Sequence, residues 1–360
     1  MTKHRVAILG LNHYHVTGWL GSLRSLGETL DVVCVHDPDP ARLEAEGPDH
    51  SDPSLPRDYP SWLRNVPFES DLDRMLDAYK PEIALVTLPN ASASDAIARL
   101  ANAGVHILSD KPGGVTARDV ASAFDIARQS GVKAAVALTR RYSPGWRDAK
   151  AVVESGALGR LLSTESVFVT SSVAVRGATN TIFSREQMGG GVLHWLGIHD
   201  LDALRWLTED PIVNVLARTA TTGGNDIDVE DTVSASIQYA SGAIGTVHLA
   251  YALPRSTSDG YIALRGTKGS LRITPDGSWT FTGPASPLEP LATRTSKYEF
   301  GPSTGYGTIG TPIIQDLLDA IHDDREPLAR GRDAANALSV VEAMYESAAR
   351  GKPIDVTYQE

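Results

Sequence analysis

A short apolar run, Val6-Ala-Ile-Leu9, leads directly into Gly10-Leu-Asn-His-Tyr-His15. Where a strand turns into a helix, the unpaired amides of the helix N-terminus face outward, and a dinucleotide pyrophosphate would meet them there. Measured against the spacing G-x-G-x-x-G, the turn keeps Gly10 but has Asn12 and His15 at the second and third glycine positions. Asn tolerates positive φ better than most residues, so Asn12 can still adopt a left-handed turn conformation. His15 must then fit where helix and strand usually pack closely. After the second apolar run, His36-Asp37-Pro38 offers a carboxylate for the hydroxyls of an adenosine ribose, and no Arg follows it to meet a 2'-phosphate. NAD is therefore expected as cofactor, with NADP disfavoured. The competing role for Asp37 is that of a turn acid in Asp-Pro-Asp-Pro. His13 and His15 also spell an H-x-H after a first strand, a spacing able to ligate a metal. No clear further set of His and Asp ligands stands at later strand ends, so one histidine is expected to face the cofactor phosphates, the other to pack, and no metal to bind.

The elements that must hold these residues follow an alternating rhythm. Val6–Leu9, Val32–Val35, Ile83–Val86, Val105–Leu108 and Val132–Val136 are mostly apolar on consecutive positions, as strands covered on both faces must be. Between them, Ala91–Ala103 and Ala117–Gln129 carry apolar residues at helical spacing, with Gly104 and Gly131 placed to end each helix. This predicts a parallel α/β sheet flanked by helices over residues 1–137. Gly47–Trp62, crowded with Pro, Asp and Ser, reads as a surface loop. In residues 138–360, Leu162–Thr170, Val213–Thr219, Val233–Tyr239, Ile244–Tyr251 and Ser270–Ile273 mix β-branched, aromatic and polar residues in near alternation, and Thr311–His322 and Asp333–Ala349 return to helical spacing.

Composition bounds the function. At 360 residues, with 42% hydrophobic and 21% charged, the chain is an ordinary globular one with room for two cores. Its net charge of -11 argues against nucleic acid and anionic membrane surfaces, which are bound through excess positive charge. The single cysteine, Cys34, lies in an apolar run and closes no internal disulfide. No apolar span approaches the roughly 20 residues that cross a bilayer, and the N-terminal apolar run is too short for a signal peptide. The expected location is the cytoplasm.

Leu108-Ser-Asp-Lys-Pro112 resembles the Glu-Lys-Pro element of the glucose-fructose oxidoreductase, inositol dehydrogenase and MocA family, matched here as Asp110-Lys111-Pro112. Thr87-Leu-Pro-Asn90, Ala103–His106, Arg140-Arg-Tyr-Ser-Pro144 and Glu154–Gly159 resemble its flanking elements, and Gly189-Gly-Gly-Val-Leu-His-Trp-Leu-Gly-Ile-His199-Asp-Leu-Asp202 its glycine triplet and histidine helix. Val229–Thr232, Ser241–Gly245 and Leu264–Ser270 extend the likeness over nearly the whole chain. The resemblance implies a Rossmann domain followed by an α+β domain on an open, largely antiparallel sheet, and a homodimer or homotetramer formed through that sheet. It also implies an NAD-dependent oxidoreductase acting on a hydroxyl of a sugar, cyclitol or glycoside. Gly10, Asn12, His13, His15, Asp37, Pro89, Asn90, Asp110 and Lys111 would then line the cofactor.

Hydride transfer from a secondary alcohol needs an acceptor for the hydroxyl proton and a donor for the developing charge on oxygen. The resemblance gives these tasks to His199 and Lys111, and the ammonium and imidazole are expected to converge on the nicotinamide. Four residues before His199, where the family carries Asp, stands Trp195. Positions i and i+4 share a helix face, so the usual carboxylate partner is missing. Asp202, three residues after His199, and His194, five before it, are the candidate replacements, and Trp195 itself could stack on a sugar ring. Arg140, Arg141, Tyr142, Arg176 and Asn180 are candidates for lining the substrate pocket. Two rival readings remain: NAD-assisted glycoside cleavage by transient oxidation and elimination, and a dinucleotide-binding accessory protein without turnover.

Overall fold

The computed structural model describes residues 3–13, 15–44, 47, 58–254, 258–284, 291–297 and 307–359. In chain order, the first part runs β1 (His4–Leu9), α1 (Val16–Ser25), β2 (Leu30–His36), β3 (Phe68–Glu69), α2 (Leu72–Tyr79), β4 (Ile83–Val86), α3 (Asn90–Asn102), β5 (His106–Ser109), α4 (Ala117–Gln129) and β6 (Ala134–Val136). Then follow α5 (Pro144–Glu154), β7 (Leu161–Val169), α6 (Ser172–Arg176), α7 (Arg185–Met188), a π-helical turn (Leu193–Gly197), α8 (Ile198–Thr208), β8 (Ile212–Ala220), β9 (Thr232–Tyr239) and β10 (Ile244–Ala250). The chain ends with β11 (Asp259–Gly266), β12 (Ser270–Ile273), β13 (Trp279–Pro284), β14 (Leu291–Ser296), α9 (Gly307–His322), α10 (Gly331–Arg350) and β15 (Ile354–Asp355). The expected loop over Gly47–Trp62 lies for most of its length outside the described residues.

Two compact units emerge. The first comprises Met1–Thr139, Glu186–Gly189 and Gly301–Ala335, and the second Arg140–Arg185, Gly190–Phe300 and Asn336–Glu360. The sequence expects one division at 137/138, whereas the chain returns to the first unit twice. The second return has a packing reason: α9 lies on α1 so closely that a Cβ on Gly310 would stand 2.3 Å from Ser22 Oγ. Val136 N–H also donates to the Ala329 carbonyl at 3.0 Å, extending the edge at β6.

The first unit is a six-stranded sheet in the order β3-β2-β1-β4-β5-β6, every pair parallel. Val6, Ala7, Ile8 and Leu9 are all at most 1% exposed, as a central strand covered by helices on both faces must be. The strand order reverses between β1 and β4, and ligands of such sheets bind in the crevice beyond the carboxyl ends at that point. The second unit carries a nine-stranded sheet, β14-β13-β12-β11-β7-β10-β9-β8-β15, antiparallel except where β10 pairs β7. Burial alternates residue by residue along β9 and β10, so one face is buried and the other meets solvent. Among the described residues no helix is long and apolar enough to cross a membrane.

Candidate functional site

The first turn of the parallel sheet is built around Gly10. Its φ is +94°, and a Cβ there would stand 2.7 Å from the backbone of Thr87 and Leu88, so only glycine lets the turn come this close to the end of β4. Thr87 Oγ1 donates to the Gly10 carbonyl at 2.6 Å and closes the contact. Asn12 does not use its freedom to adopt positive φ, and among the described residues of the turn the left-handed conformation rests on Gly10. Asp37 sits at the end of β2, 6% exposed, with Oδ2 accepting from Leu11 N–H at 2.8 Å and Oδ1 from Asp39 N–H at 3.0 Å. It is a turn acid, and each oxygen retains a lone pair.

His15 is the residue before α1, and one position inside that helix the Thr17 hydroxyl is buried without a hydrogen-bond partner among the described residues. A buried orphan hydroxyl at a helix N-terminus is what a pyrophosphate would satisfy, so the turn fits a dinucleotide despite the missing glycines. Pro89 precedes α3, and the buried Asn90 donates from Nδ2 to the Met188 carbonyl at 3.0 Å, fixing the α7 segment within the same unit.

Asp110 follows β5 and gathers the donors of the turn. Trp19 Nε1–H reaches its Oδ2 at 2.8 Å, the Lys111 backbone N–H its Oδ1 at 2.8 Å, and His15 Nδ1 lies 3.2 and 3.1 Å from the two oxygens. Burial alone would raise the Asp110 pKa, but the neighbouring His15, His13 and Lys111 outweigh it and hold the carboxyl well below its usual range. Burial drives His13 the other way, down to about 3, so it is neutral near pH 7. His13, His15 and Asp110 each offer an atom within 4.8 Å of the others, spacing that a metal ion could use. The third member, Asp110, stands 95 residues from His15, which is why the H-x-H pair reads as ligand-poor in the sequence. Lys111, 1% exposed, follows directly, and its bond to Pro112 is cis.

In the second unit the histidine helix is fixed from three sides. Glu230, 5% exposed, accepts from Gly191 N–H at 3.0 Å, Leu193 N–H at 3.0 Å and Tyr345 O–H at 2.7 Å. This explains the glycine triplet: a Cβ at Gly190 would lie 2.1 Å from Tyr345 Oη, and one at Gly191 2.0 Å from the Glu230 carbonyl oxygen. The π turn that follows contains His194 and Trp195, both buried, and His199 sits half-buried in the first turn of α8. Bonding from i to i+5 widens the turn, so His194 and Trp195 both come towards the line of His199, where an α-helical turn would favour Trp195 alone.

Two of the three arginines that are candidates for the substrate pocket, Arg140 and Arg141, bond to this helix. Arg140 pairs with Asp200 at 3.2 Å, donates to the His199 carbonyl at 3.2 Å and lies over the Trp146 ring. Ser166 Oγ donates to Asp200 at 2.8 Å. Arg141 meets Asp202 through two nitrogens at 2.6 and 3.1 Å, with side chains 8% and 2% exposed. Asp202 is therefore a partner of Arg141 and through that pair anchors α8. Tyr142 is buried, Arg176 half-buried at the end of α6, and Asn180 caps the next turn by accepting from Ile182 N–H at 3.1 Å. Sequence reasoning missed Trp19, Thr17, Asp200, Glu230 and Tyr345. The opposed doublets Arg140-Arg141 and Asp200-x-Asp202 carried a signal for the ion pairs; the 91 residues between Trp19 and Asp110 left none.

Residues 4–138 match the oxidoreductase family with an NAD-binding Rossmann fold, and residues 146–272 match the GFO/IDH/MocA C-terminal domain. Levoglucosan dehydrogenase of Pseudarthrobacter phenanthrenivorans is 25% identical over 80% of this chain and 83% of its own. The scyllo-inositol 2-dehydrogenase (NAD(+)) of Bacillus subtilis is 23% identical over 98% of this chain and 96% of its own. A levoglucosan dehydrogenase solved with NADH and L-sorbose superposes with a TM-score of 0.83 at 20% identity, covering 100% of both chains.

Proposed function

The chain belongs to the GFO/IDH/MocA family of NAD-binding oxidoreductases, and on that premise we propose that it moves a hydride between a hydroxyl-bearing carbon of a sugar or cyclitol and NAD. The observation that carries the reading is the first turn: Gly10 seated against the Thr87 backbone, with the buried Thr17 hydroxyl and the N-terminus of α1 beside it. Bound NAD supplies the hydride acceptor. His199 takes the hydroxyl proton as the carbon–hydrogen bond breaks, and Lys111 donates a hydrogen bond to the oxygen as it becomes a carbonyl. Asp37 with a lone pair on each oxygen, and Pro38 and not Arg directly after it, favours NAD over NADP. The relatives named above are dehydrogenases, which favours net hydride transfer over transient oxidation with elimination and over binding without turnover.

We place the reaction in the cytoplasm, from one buried cysteine and an ordinary globular composition. A homodimer through the exposed sheet face is part of the same reading. Leu162, Leu216 and Ile244 stand 43, 39 and 62% exposed there, and a hollow of about 620 Å³ bordered by Leu216, Ile244 and Arg265 opens on it.

The test is absorbance at 340 nm with NAD or NADP and a panel of aldoses, anhydrosugars and cyclitols. One substrate class is expected to form NADH, with Lys111→Met and His199→Asn each lowering kcat by about 10²- to 10⁴-fold. Full activity in both variants would remove their assigned roles.

A further inference from the structure

Asp110 is the one acidic residue of the Asp-Lys-Pro element, and three nitrogens crowd its carboxylate. A carboxylate offers about four lone-pair sites. Trp19 Nε1–H takes one on Oδ2 and the Lys111 N–H one on Oδ1, while His15 Nδ1 lies within 3.2 Å of both oxygens. These donors come from α1, from the residue before α1, and from the residue after Asp110. A cofactor hydroxyl that approaches this carboxylate meets three donors already in place.

We propose that Asp110, His15 and Trp19 act as one positioning unit, which holds the first turn in shape for the dinucleotide and ties Lys111 to it. The proposal rests on the NAD-binding reading above. His15 occupies the third glycine position, and the acidic residue before Lys111 is Asp where the family pattern has Glu. The two departures belong together. The third glycine ordinarily lets helix and strand pack closely, whereas here a side chain stands at that position, and its imidazole is held by a short carboxylate already fixed to α1 through Trp19. Trp19 is the discriminating member, being 0% exposed and so out of reach of any cofactor. What its indole N–H contributes to cofactor affinity passes through Asp110, and Trp19→Phe removes that N–H while keeping an aromatic ring.

The experiment is a double-mutant cycle on the full chain, read as NADH affinity by fluorescence, with melting temperature recorded for each variant. Trp19→Phe and Asp110→Asn are each expected to weaken NADH about tenfold, and the double variant about tenfold as well, against about a hundredfold for independent residues. Phe281→Leu, a buried change in the other unit, controls for loss of stability alone: it lowers the melting temperature and leaves NADH affinity in place. His15→Ala tests the third member and is expected to match the single variants.

Multiplicative losses would overturn the proposal, as would unchanged NADH affinity in Trp19→Phe beside a loss in Asp110→Asn. One equivalent of zinc in the purified wild-type chain, absent from His15→Ala, would overturn it in favour of a metal site. Failure of the wild-type chain to bind NADH would overturn both this unit and the cofactor reading beneath it, whereas NADH binding with multiplicative losses sinks the unit alone.

Discussion

Arg141 and Asp202 form the most enclosed ion pair of the histidine helix, and their energetics are one-sided. Removing one partner leaves the other charge buried, so Arg141→Ala is expected to lower unfolding stability by about 3–5 kcal/mol in urea titrations, with Arg141→Lys losing less. A loss near zero would mean water reaches the pair. His13 sets a second residue-scale expectation. Its folded pKa of about 3 lies below the unfolded value, so the unfolded chain takes up the proton as pH falls from about 6.5. The contribution of neutral His13 is present above pH 6.5 and declines by up to about 1.4 kcal/mol per pH unit on the way down to about 3. Asp110, shifted the same way, keeps its contribution until the carboxyl range is reached. Urea midpoints at pH 7.5, 6.5 and 5.5 in wild type and His13→Asn check this, and equal slopes in the two chains would refute it. At this scale the sequence shows residue types well and partners poorly. Lys111 and His199 stand in recognisable surroundings, whereas Arg140 and Arg141 pair with acids 60 and 61 residues away, which the opposed doublets hint at and no local spacing rule identifies.

At the scale of elements, the two periodicities were the readable part. Ala117–Gln129 and Ser270–Ile273 have the boundaries that spacing and turn residues predict, and the consecutive apolar runs of β1 and β4 fall in the sheet. The helix α2 was overlooked although Leu72, Met75, Leu76 and Tyr79 stand at helical spacing, and the Asp71 cap, which accepts from Asp73 and Arg74 N–H, marks its start. The π turn before α8 also has no signature in a pattern read at α-helical spacing. Its position follows from Glu230 receiving the first amides of the segment, a contact across 39 residues. Gly10 gives the prediction that belongs here. Gly10→Ala puts a methyl group against the Thr87 and Leu88 backbone at positive φ, and is expected to cost about 1–3 kcal/mol of stability and to abolish NADH binding. An alanine chain that binds NADH normally would show that the turn is not the cofactor seat.

For the molecule as a whole, an alternating sheet with apolar residues on its open face predicts association. Light scattering is expected to give at least a dimer mass, and Ile244→Asp to shift it toward the monomer; a monomeric wild type would contradict the assignment of that face. The division into a parallel and a largely antiparallel half was legible from the change of pattern near residue 138, but the return of α9 to the first unit depends on how closely Gly310 lets it approach Ser22, which only the folded chain reveals. The central claim is direct hydride transfer from a carbinol carbon, and an isotope tests it most directly. A polyol substrate carrying deuterium at the oxidised carbon should yield NADH with one deuterium per molecule of ketone formed. NADH free of label, or product formed with the deuterium lost to solvent and no reduced cofactor, would contradict the account.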